Sequence, residues 1–118
     1  MGSVNIFHGR VQGGKALLGP LALDYPEHPE IEARAAAGYA RPYDLEVERG
    51  EGSGGGFWAI VRYVNANGPV VKLELVGEDQ RLLQVEMSRE RHQALRPQAG
   101  EQLYVRPRQI RVFLEARE

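Results

Sequence analysis

The strongest constraint on the fold is a hydrophobic period of two that recurs along most of the chain. Apolar and polar side chains alternate within several short segments, which is the pattern of β-strands with one buried face and one wetter face. The segments with this alternation are residues 45–47, 71–75, 83–87, 103–106 and 110–115. Because an amphipathic helix would show a period of 3.6 instead, the chain is predicted to be mainly β.

A second group of apolar segments is bounded by turn residues. Residues 57–64 are apolar on both faces apart from Arg62, so a more deeply buried strand is expected there. Asn67-Gly68 follows this segment and is the strongest short-range signal of a hairpin. Further short strands, separated by glycine and proline, are expected at residues 6–11, 16–18 and 21–23.

One helix and two loops complete the predicted elements. The helix is expected over residues 89–96, because Ser88 can cap its first turn and Pro97 stops it. Flexible loops are expected at about residues 26–37, which are acidic and alanine-rich, and at residues 50–56, which are nearly all glycine and serine.

A nine-residue pattern occurs twice, at residues 39–47 and 104–112. Each copy reads Tyr-x-Arg-Pro, two residues, Leu or Ile, one residue, and Val. Proline removes a backbone donor and keeps the residue before it extended, so each copy predicts a strand, a break and a second strand. Short antiparallel strands, glycine corners and one small helix together predict a single domain, residues 1–118. Its fold is expected to be a small, partly open barrel of the oligonucleotide/oligosaccharide-binding (OB) type.

The composition argues against several classes of protein. The 118 residues carry fifteen basic and sixteen acidic side chains, a formal net charge of −1, so no basic excess favours nucleic acid or an anionic membrane. The chain has no cysteine, which excludes disulfides, zinc–thiolate sites and a cysteine nucleophile and fits a cytosolic location. No apolar run approaches the length of a membrane span.

A search for catalytic or metal-binding residues finds no candidate. The histidines are not spaced as a metal site, the serines lie in no nucleophile motif, and the carboxylates Asp24 and Glu27 lie in an ordinary acidic loop. Ser88 is interpreted as a helix cap. The other residues considered are His8, His28, His92, Ser3 and Ser53.

Two features suggest a nucleotide or nucleic-acid site at first sight. The glycine-rich residues 52–56 lack the lysine of a phosphate-binding loop and are interpreted as a linker. Phe57, Trp58 and Tyr63 could stack bases, but their apolar neighbours and the missing basic groove favour core packing.

The order of several segments resembles a known family. Residues 2–11 are similar to the segment after the ATPase domain in sulfate/thiosulfate-import ATP-binding subunits, and residues 39–46 to an arginine-proline-histidine-aspartate stretch of those proteins. Residues 68–75 resemble the core hairpin of TOBE domains, and residues 100–114 the last strands of the family. Tyr43 stands where the family usually has histidine, so that position is assigned no role.

The resemblance implies a fragment of a longer subunit. In that family the whole subunit hydrolyses ATP through Walker motifs and a signature motif, and none of these occurs in this chain. ATP and magnesium would bind the missing domain, so no cofactor and no enzymatic activity are expected here, and Met1 would be an introduced start.

The same resemblance implies a regulatory or dimer-stabilising role in an ABC transporter for sulfate. The expected partners are a second copy through these C-terminal domains, the subunit's own ATPase domain and, indirectly, the membrane subunits. No nucleic acid is expected, and the location would be the cytoplasmic face of the membrane. The alternatives are the equivalent domain of an importer for molybdate, iron, sugar or polyamine, and a free-standing OB-type nucleic-acid-binding module.

Some relatives bind their oxyanion in such barrels, which implies a candidate site. Arg41 and Arg106 occupy equivalent positions in the repeated pattern, and arginine pairs with oxyanions bidentately. Backbone N–H groups near Asn67 and Gly68 would add donors. The alternative is that both arginines lie in solvent or pair with nearby acids such as Asp44 and Glu46.

Overall fold

The structure, a computed structural model, describes residues 3–50, 52 and 54–115. A mainly β chain with one short α-helix confirms the predicted fold class. The elements are β1 (Asn5–Gln12), β2 (Lys15–Leu18), β3 (Leu21–Asp24), β4 (Arg34–Ala40), β5 (Leu45–Glu48), β6 (Phe57–Asn65), β7 (Val70–Gly77), β8 (Leu82–Ser88), α1 (Arg89–Leu95), β9 (Gln102–Pro107) and β10 (Arg111–Leu114). A 3-10 helix, Pro42–Asp44, precedes β5.

The strands form two five-stranded antiparallel sheets. The order is β10-β4-β1-β2-β3 in the first sheet and β5-β9-β6-β7-β8 in the second. The edge strands β5 and β8 of the second sheet also contact each other, so this sheet is a nearly closed barrel. The predicted OB-type barrel is therefore confirmed. No helix in the part of the chain that the structure describes is long and apolar enough to cross a membrane.

The two sheets share one hydrophobic core. Phe7 of β1 packs edge to face against Phe57 of β6, with 5.9 Å between the ring centroids. The inward side chains follow the period of two along each strand, so alternation in the sequence becomes one buried face. The largest fully buried side chains are Leu18, Leu21, Leu73, Leu75, Leu103, Val11, Val61, Val71, Val85 and Val105.

A buried asparagine also joins the sheets. Asn5, which is 5% exposed, is the one polar side chain among the buried residues that the structure describes. Its Nδ2 donates to Ala40 O at 3.2 Å and to Gln84 O at 2.9 Å, and its Oδ1 accepts from Gln84 N at 2.8 Å. Because Gln84 lies on β8, at the edge of the second sheet, the Asn5 amide takes the place of a neighbouring strand there.

Both copies of the repeated pattern lie where the chain passes from one sheet to the other. The first leads from β4 into β5 through Pro42–Asp44, and the second leads from β9 back into β10. The two corners touch, because Arg108 N donates to Asp44 O at 2.6 Å and Arg108 Nη2 donates to Tyr43 O at 2.6 Å. The predicted strand–break–strand structure is present at both corners.

Two loop predictions differ from the structure in extent. The loop expected over residues 26–37 ends earlier, because β4 begins at Arg34 and Ala36 and Ala37 are buried against β1 and β10. Alanine has a low strand propensity and no alternation, so its pairing was not visible locally. Within residues 50–56, positions 51 and 53 lie outside the described residues, and the predicted flexibility of this loop stays a prediction.

Strand β6 departs from expectation in its burial, and the helix ends at Leu95, one residue earlier than predicted. The prediction that residues 57–64 are buried on both faces is wrong, since Ile60 is 50% and Tyr63 59% exposed. A register shift around Arg62 turns the end of β6 relative to β7. The hairpin at Asn67-Gly68 and the Ser88 cap, which accepts from Arg91 N at 3.0 Å, are both present.

Candidate functional site

A surface pocket of about 630 Å³ lies beside the two corners and is called here the corner pocket. Strands β4 and β10 pair side by side along it, and the 3-10 helix closes one end. The pocket therefore combines segments that are distant in sequence. Its lining residues are Val4, Tyr39, Arg41, Tyr43, Asp44, Gln109, Arg111 and Phe113.

Aromatic side chains form one wall of the corner pocket. Tyr39 lies opposite Arg111 in the β4–β10 register, and its ring packs edge to face on Phe113 at a centroid distance of 5.3 Å and an angle of 87°. Edge-to-face pairs hold both rings in one orientation. The two rings therefore form one continuous aromatic surface, although Phe113 is 51% exposed.

Two arginines give the corner pocket its charge. Arg41 precedes the 3-10 helix in an extended conformation, and Arg111 begins β10; both are exposed. Neither side chain makes a hydrogen bond or ion pair to any residue that the structure describes. Asp44 is the one acidic residue in the lining. Two uncommitted guanidinium groups on one pocket can bind an oxyanion bidentately.

The structure does not bring the other predicted oxyanion contacts into this pocket. Arg106 lies across from Glu46 in the β5–β9 register, with 3.5 Å between Nη2 and Oε1, which is the pairing with a nearby acid considered above. Asn67 and Gly68 line a different pocket of about 390 Å³ at the β6–β7 turn, and Gly68 O already accepts from Arg89 Nη1 at 2.9 Å.

A second cavity, of about 430 Å³, lies at the gap between β5 and β8. Two exposed arginines line it, and each is held by a backbone carbonyl. Arg91 Nη2 donates to Val47 O at 2.9 Å, and Arg108 Nη2 donates to Tyr43 O at 2.6 Å. These bonds satisfy carbonyl groups of β5 and of the corner before it, so both arginines have a structural task.

Sequence reasoning missed Arg108 and Arg111. One signal was available, because both lie within the second copy of the repeated pattern, at residues 104–112. Arg108 stands where the first copy has Tyr43, and Arg111 where it has Glu46. Only the pairing of β10 with β4 places Arg111 near Arg41.

The histidines lie at separate places on the surface. His8 Nδ1 is 3.2 Å from Glu115 Oε1, and His28 Nδ1 is 3.3 Å from Glu30 Oε2. Within the described residues no three His, Cys, Asp or Glu side chains are grouped so as to hold a metal ion. Of the three aromatic residues predicted to pack in the core, Phe57 is buried, Trp58 is half-buried and Tyr63 is exposed, so the prediction is wrong for Tyr63.

Two surface ion pairs shift the pKa of a carboxyl group. A hydrogen bond from Lys15 and its charge lower the pKa of Asp24. A hydrogen bond from Arg49 lowers the pKa of Glu101, partial burial opposes that shift, and a backbone bond from Gln98 adds to it. Arg49 also donates to Leu95 O at 2.8 Å, so it fastens the end of α1. Neither pair lines the corner pocket.

Comparison with known proteins identifies two family models. Residues 44–108 match the TOBE-like domain, and residues 5–47 match the CysA C-terminal regulatory domain. The two matches meet at the first corner. Together they cover the barrel and most of the first sheet.

Curated relatives align with nearly the whole length of this chain. The sulfate/thiosulfate import ATP-binding protein CysA of Nitrosomonas europaea is 40% identical over 116 residues, which is 96% of this chain and 32% of that protein. CysA of Bacillus cereus is 40% identical over 116 residues, or 97% of this chain and 32% of the relative. The chain thus spans about a third of the length of these curated relatives.

A solved structure has the same fold. The cytoplasmic molybdate-binding protein ModG, solved with molybdate bound, superposes with a TM-score of 0.68 over 92% of this chain and 94% of ModG. The sequence identity is 13%, so this likeness concerns the fold.

Proposed function

Because this chain belongs to the family of TOBE-like domains, we propose that it is the C-terminal regulatory domain of the ATP-binding subunit of a sulfate/thiosulfate importer. The observation that carries the proposal is the 40% identity to sulfate/thiosulfate import ATP-binding proteins over 96% of the chain. The match of residues 5–47 to the regulatory-domain model supports the same role.

In this proposal the chemistry lies outside the chain. ATP and magnesium bind the ATPase domain of the parent subunit, and the parent acts at the cytoplasmic face of the membrane. Two copies of the domain meet in the subunit pair and restrain or transmit the opening and closing of the ATPase domains. The membrane subunits are indirect partners.

We further propose that the corner pocket senses the transported oxyanion. Arg41 and Arg111 supply the positive charge, and the Tyr39–Phe113 pair gives the pocket an aromatic wall. A tetrahedral oxyanion needs several converging donors to replace its water shell, and two guanidinium groups meet that need better than one. Among the other candidates, Arg106 would have to leave Glu46 before it could contribute.

A sulfate titration followed by amide chemical shifts tests the site. Saturable shifts should be confined to the corner pocket and be lost in Arg41→Gln and in Arg111→Gln. The matched control is Arg10→Gln, an exposed arginine on β1 whose Nε donates to Gln12. Shifts centred on Asn67 and Gly68 would move the site to the β6–β7 turn. Small linear shifts over the whole surface would leave only ionic strength.

The regulatory role is tested in the assembled transporter. The parent subunit with and without this domain is reconstituted with its membrane subunits, and basal and sulfate-stimulated ATPase rates are compared. We expect removal to change the ratio of the two rates while ATP binding persists. Equal ratios would contradict a regulatory role. Stimulation by molybdate instead of sulfate would assign a different cargo.

A further inference from the structure

Strand β10 lies at the edge of the first sheet. Among the strands that the structure describes, it pairs with β4 alone and therefore on one side only. Glu115 N donates to Ala35 O at 2.9 Å, and bonded pairs alternate in an antiparallel ladder, so residues 111, 113 and 115 direct their backbone groups toward β4. Val112 and Leu114 therefore direct their N–H and C=O groups away from the sheet.

A cavity lies beside this edge, between β10 and the end of β3. Its volume is about 690 Å³, and it is lined by Ile110 and Val112 on the near side and by Leu23 and Tyr25 on the far side. Phe113 is 51% and Leu114 37% exposed. An exposed edge with large apolar side chains is a template for pairing with another strand.

The sequence of β10 is complementary to itself in one register. If a second β10 runs antiparallel with Phe113 opposite Phe113, Val112 lies opposite Leu114 of the second copy, and the outward groups of both residues are bonded. Arg111 of each copy then lies opposite Glu115 of the other copy, so the two-fold symmetry gives two such ion pairs. Shifting the register by two residues in either direction breaks half of these bonds and sets Phe113 opposite Arg111 or Glu115.

We propose that β10 is the contact between two copies of this chain, formed as an antiparallel strand pair centred on Phe113. The inference rests on the proposed function only in that two copies are brought together by the parent subunits. Alternate side chains divide over the two faces, so the two Phe113 rings meet beside Tyr39, and Val112 and Leu114 meet on the face toward the core. Glu115 exchanges its contact with His8 for the Arg111 of the second copy.

The contact is small and therefore weak in the isolated chain. One strand pair buries far less than the roughly 1,200 Å² of a stable interface, and we expect a dissociation constant on the order of 1 mM. Attachment to a dimeric parent raises the effective concentration to the millimolar range, where such a contact is occupied.

Cysteine cross-linking tests the register directly, because the chain has no cysteine of its own. Residue 113 of one copy and residue 113 of the other would form a non-hydrogen-bonded pair with Cα atoms about 4.5 Å apart, within disulfide range. Phe113→Cys should therefore form a disulfide dimer under copper–phenanthroline and oxygen. Arg111→Cys alone and Glu115→Cys alone should not, because the like positions lie about 13 Å apart. A mixture of those two variants should cross-link.

A charge exchange provides the second measurement. In the Phe113→Cys background, Arg111→Glu should slow cross-linking about fivefold, because two carboxylates then face each other on both sides of the symmetry axis. Glu115→Arg should slow it as well, and the variant with both substitutions should restore the original rate. Circular dichroism confirms that each variant is folded.

Several results would overturn the inference. Equal cross-linking rates for Phe113→Cys and for the exposed control Ile60→Cys would indicate random collision. Preferred dimers of Arg111→Cys would place the contact in another register. Failure of the double charge exchange to restore the rate would remove the Arg111–Glu115 pairing. All three leave the proposed regulatory role in place, whereas equal ATPase ratios in the transporter would remove that role without changing the cross-linking pattern.

Discussion

Replacing Asn5 tests how the two sheets are held together. In Asn5→Ala the backbone N–H and C=O of Gln84 lose the amide that bonds both, and Ala40 O loses one donor. Leaving a buried polar group without a partner costs roughly 1–3 kcal/mol. With the two Gln84 groups counted, we expect a loss of about 3 kcal/mol in the free energy of unfolding.

The substitution Asn5→Asp separates hydrogen bonding from packing. Aspartate has nearly the same shape as asparagine, so packing is preserved. At neutral pH, however, the carboxylate would face Ala40 O and Gln84 O, two acceptors that in the native protein accept hydrogen bonds from Asn5 Nδ2. We therefore expect Asn5→Asp to be at least as destabilising as Asn5→Ala.

Denaturant unfolding followed by the fluorescence of Trp58, the single tryptophan, gives the comparison. The matched control is Asn65→Ala, because Asn65 accepts one exposed hydrogen bond from Asn67 N at 3.1 Å. Its loss should stay below about 1 kcal/mol. A loss below about 1 kcal/mol for Asn5→Ala, or a tolerated Asn5→Asp, would refute the reasoning that the amide bonds hold β8 to β1.

Two further predictions concern an ion pair and a close backbone contact. The Arg49 contact holds the pKa of Glu101 below its ordinary value of 4.5, so the carboxylate stabilises the fold above that pH and loses this effect as the pH falls through the lowered value. Glu101→Gln should therefore flatten this part of the stability–pH curve. An unchanged curve would show that the Arg49 contact adds nothing to stability. Gly9→Ala should prevent folding or lower the free energy of unfolding by more than about 3 kcal/mol, because a Cβ there would lie 1.9 Å from Leu17 O. Urea titration compares it with Gly68→Ala, whose Cβ would lie 3.6 Å from Val70 O, an ordinary contact.

Strands with regular alternation were predictable from the sequence, because the apolar or polar character of each side chain indicates whether it lies on the buried or the exposed face. The segments 71–75 and 83–87 became β7 and β8, and Asn67-Gly68 joins β6 to β7 as its turn chemistry predicts. The strand β4 was only half predicted. Its alanines are buried by strands from elsewhere in the chain, and local propensity carries no trace of that pairing.

The candidate site was predictable in one residue and hidden in the others. Arg41 stood out because the repeated pattern placed it at a break between strands, and it lines the corner pocket. Arg106 held the equivalent position in the pattern but faces Glu46 across a strand pair. Arg111 lies within the second copy of the pattern, but the pattern did not place it near Arg41, because the two meet only through the pairing of β10 with β4, whose partners are more than seventy residues apart in sequence.

The position of Arg111 links two events that were described separately. Its side chain lines the corner pocket, and its residue lies on the free edge of the first sheet. In the proposals made above, one guanidinium would have to neutralise both a bound sulfate and the Glu115 of a second copy, so the two ligands would compete. Linkage then requires that the antagonism be mutual: rising sulfate loosens the pair of domains, and a closed pair lowers the affinity for sulfate by the same factor. In the proposed transporter, a high internal sulfate concentration would thus weaken the contact between the two regulatory domains.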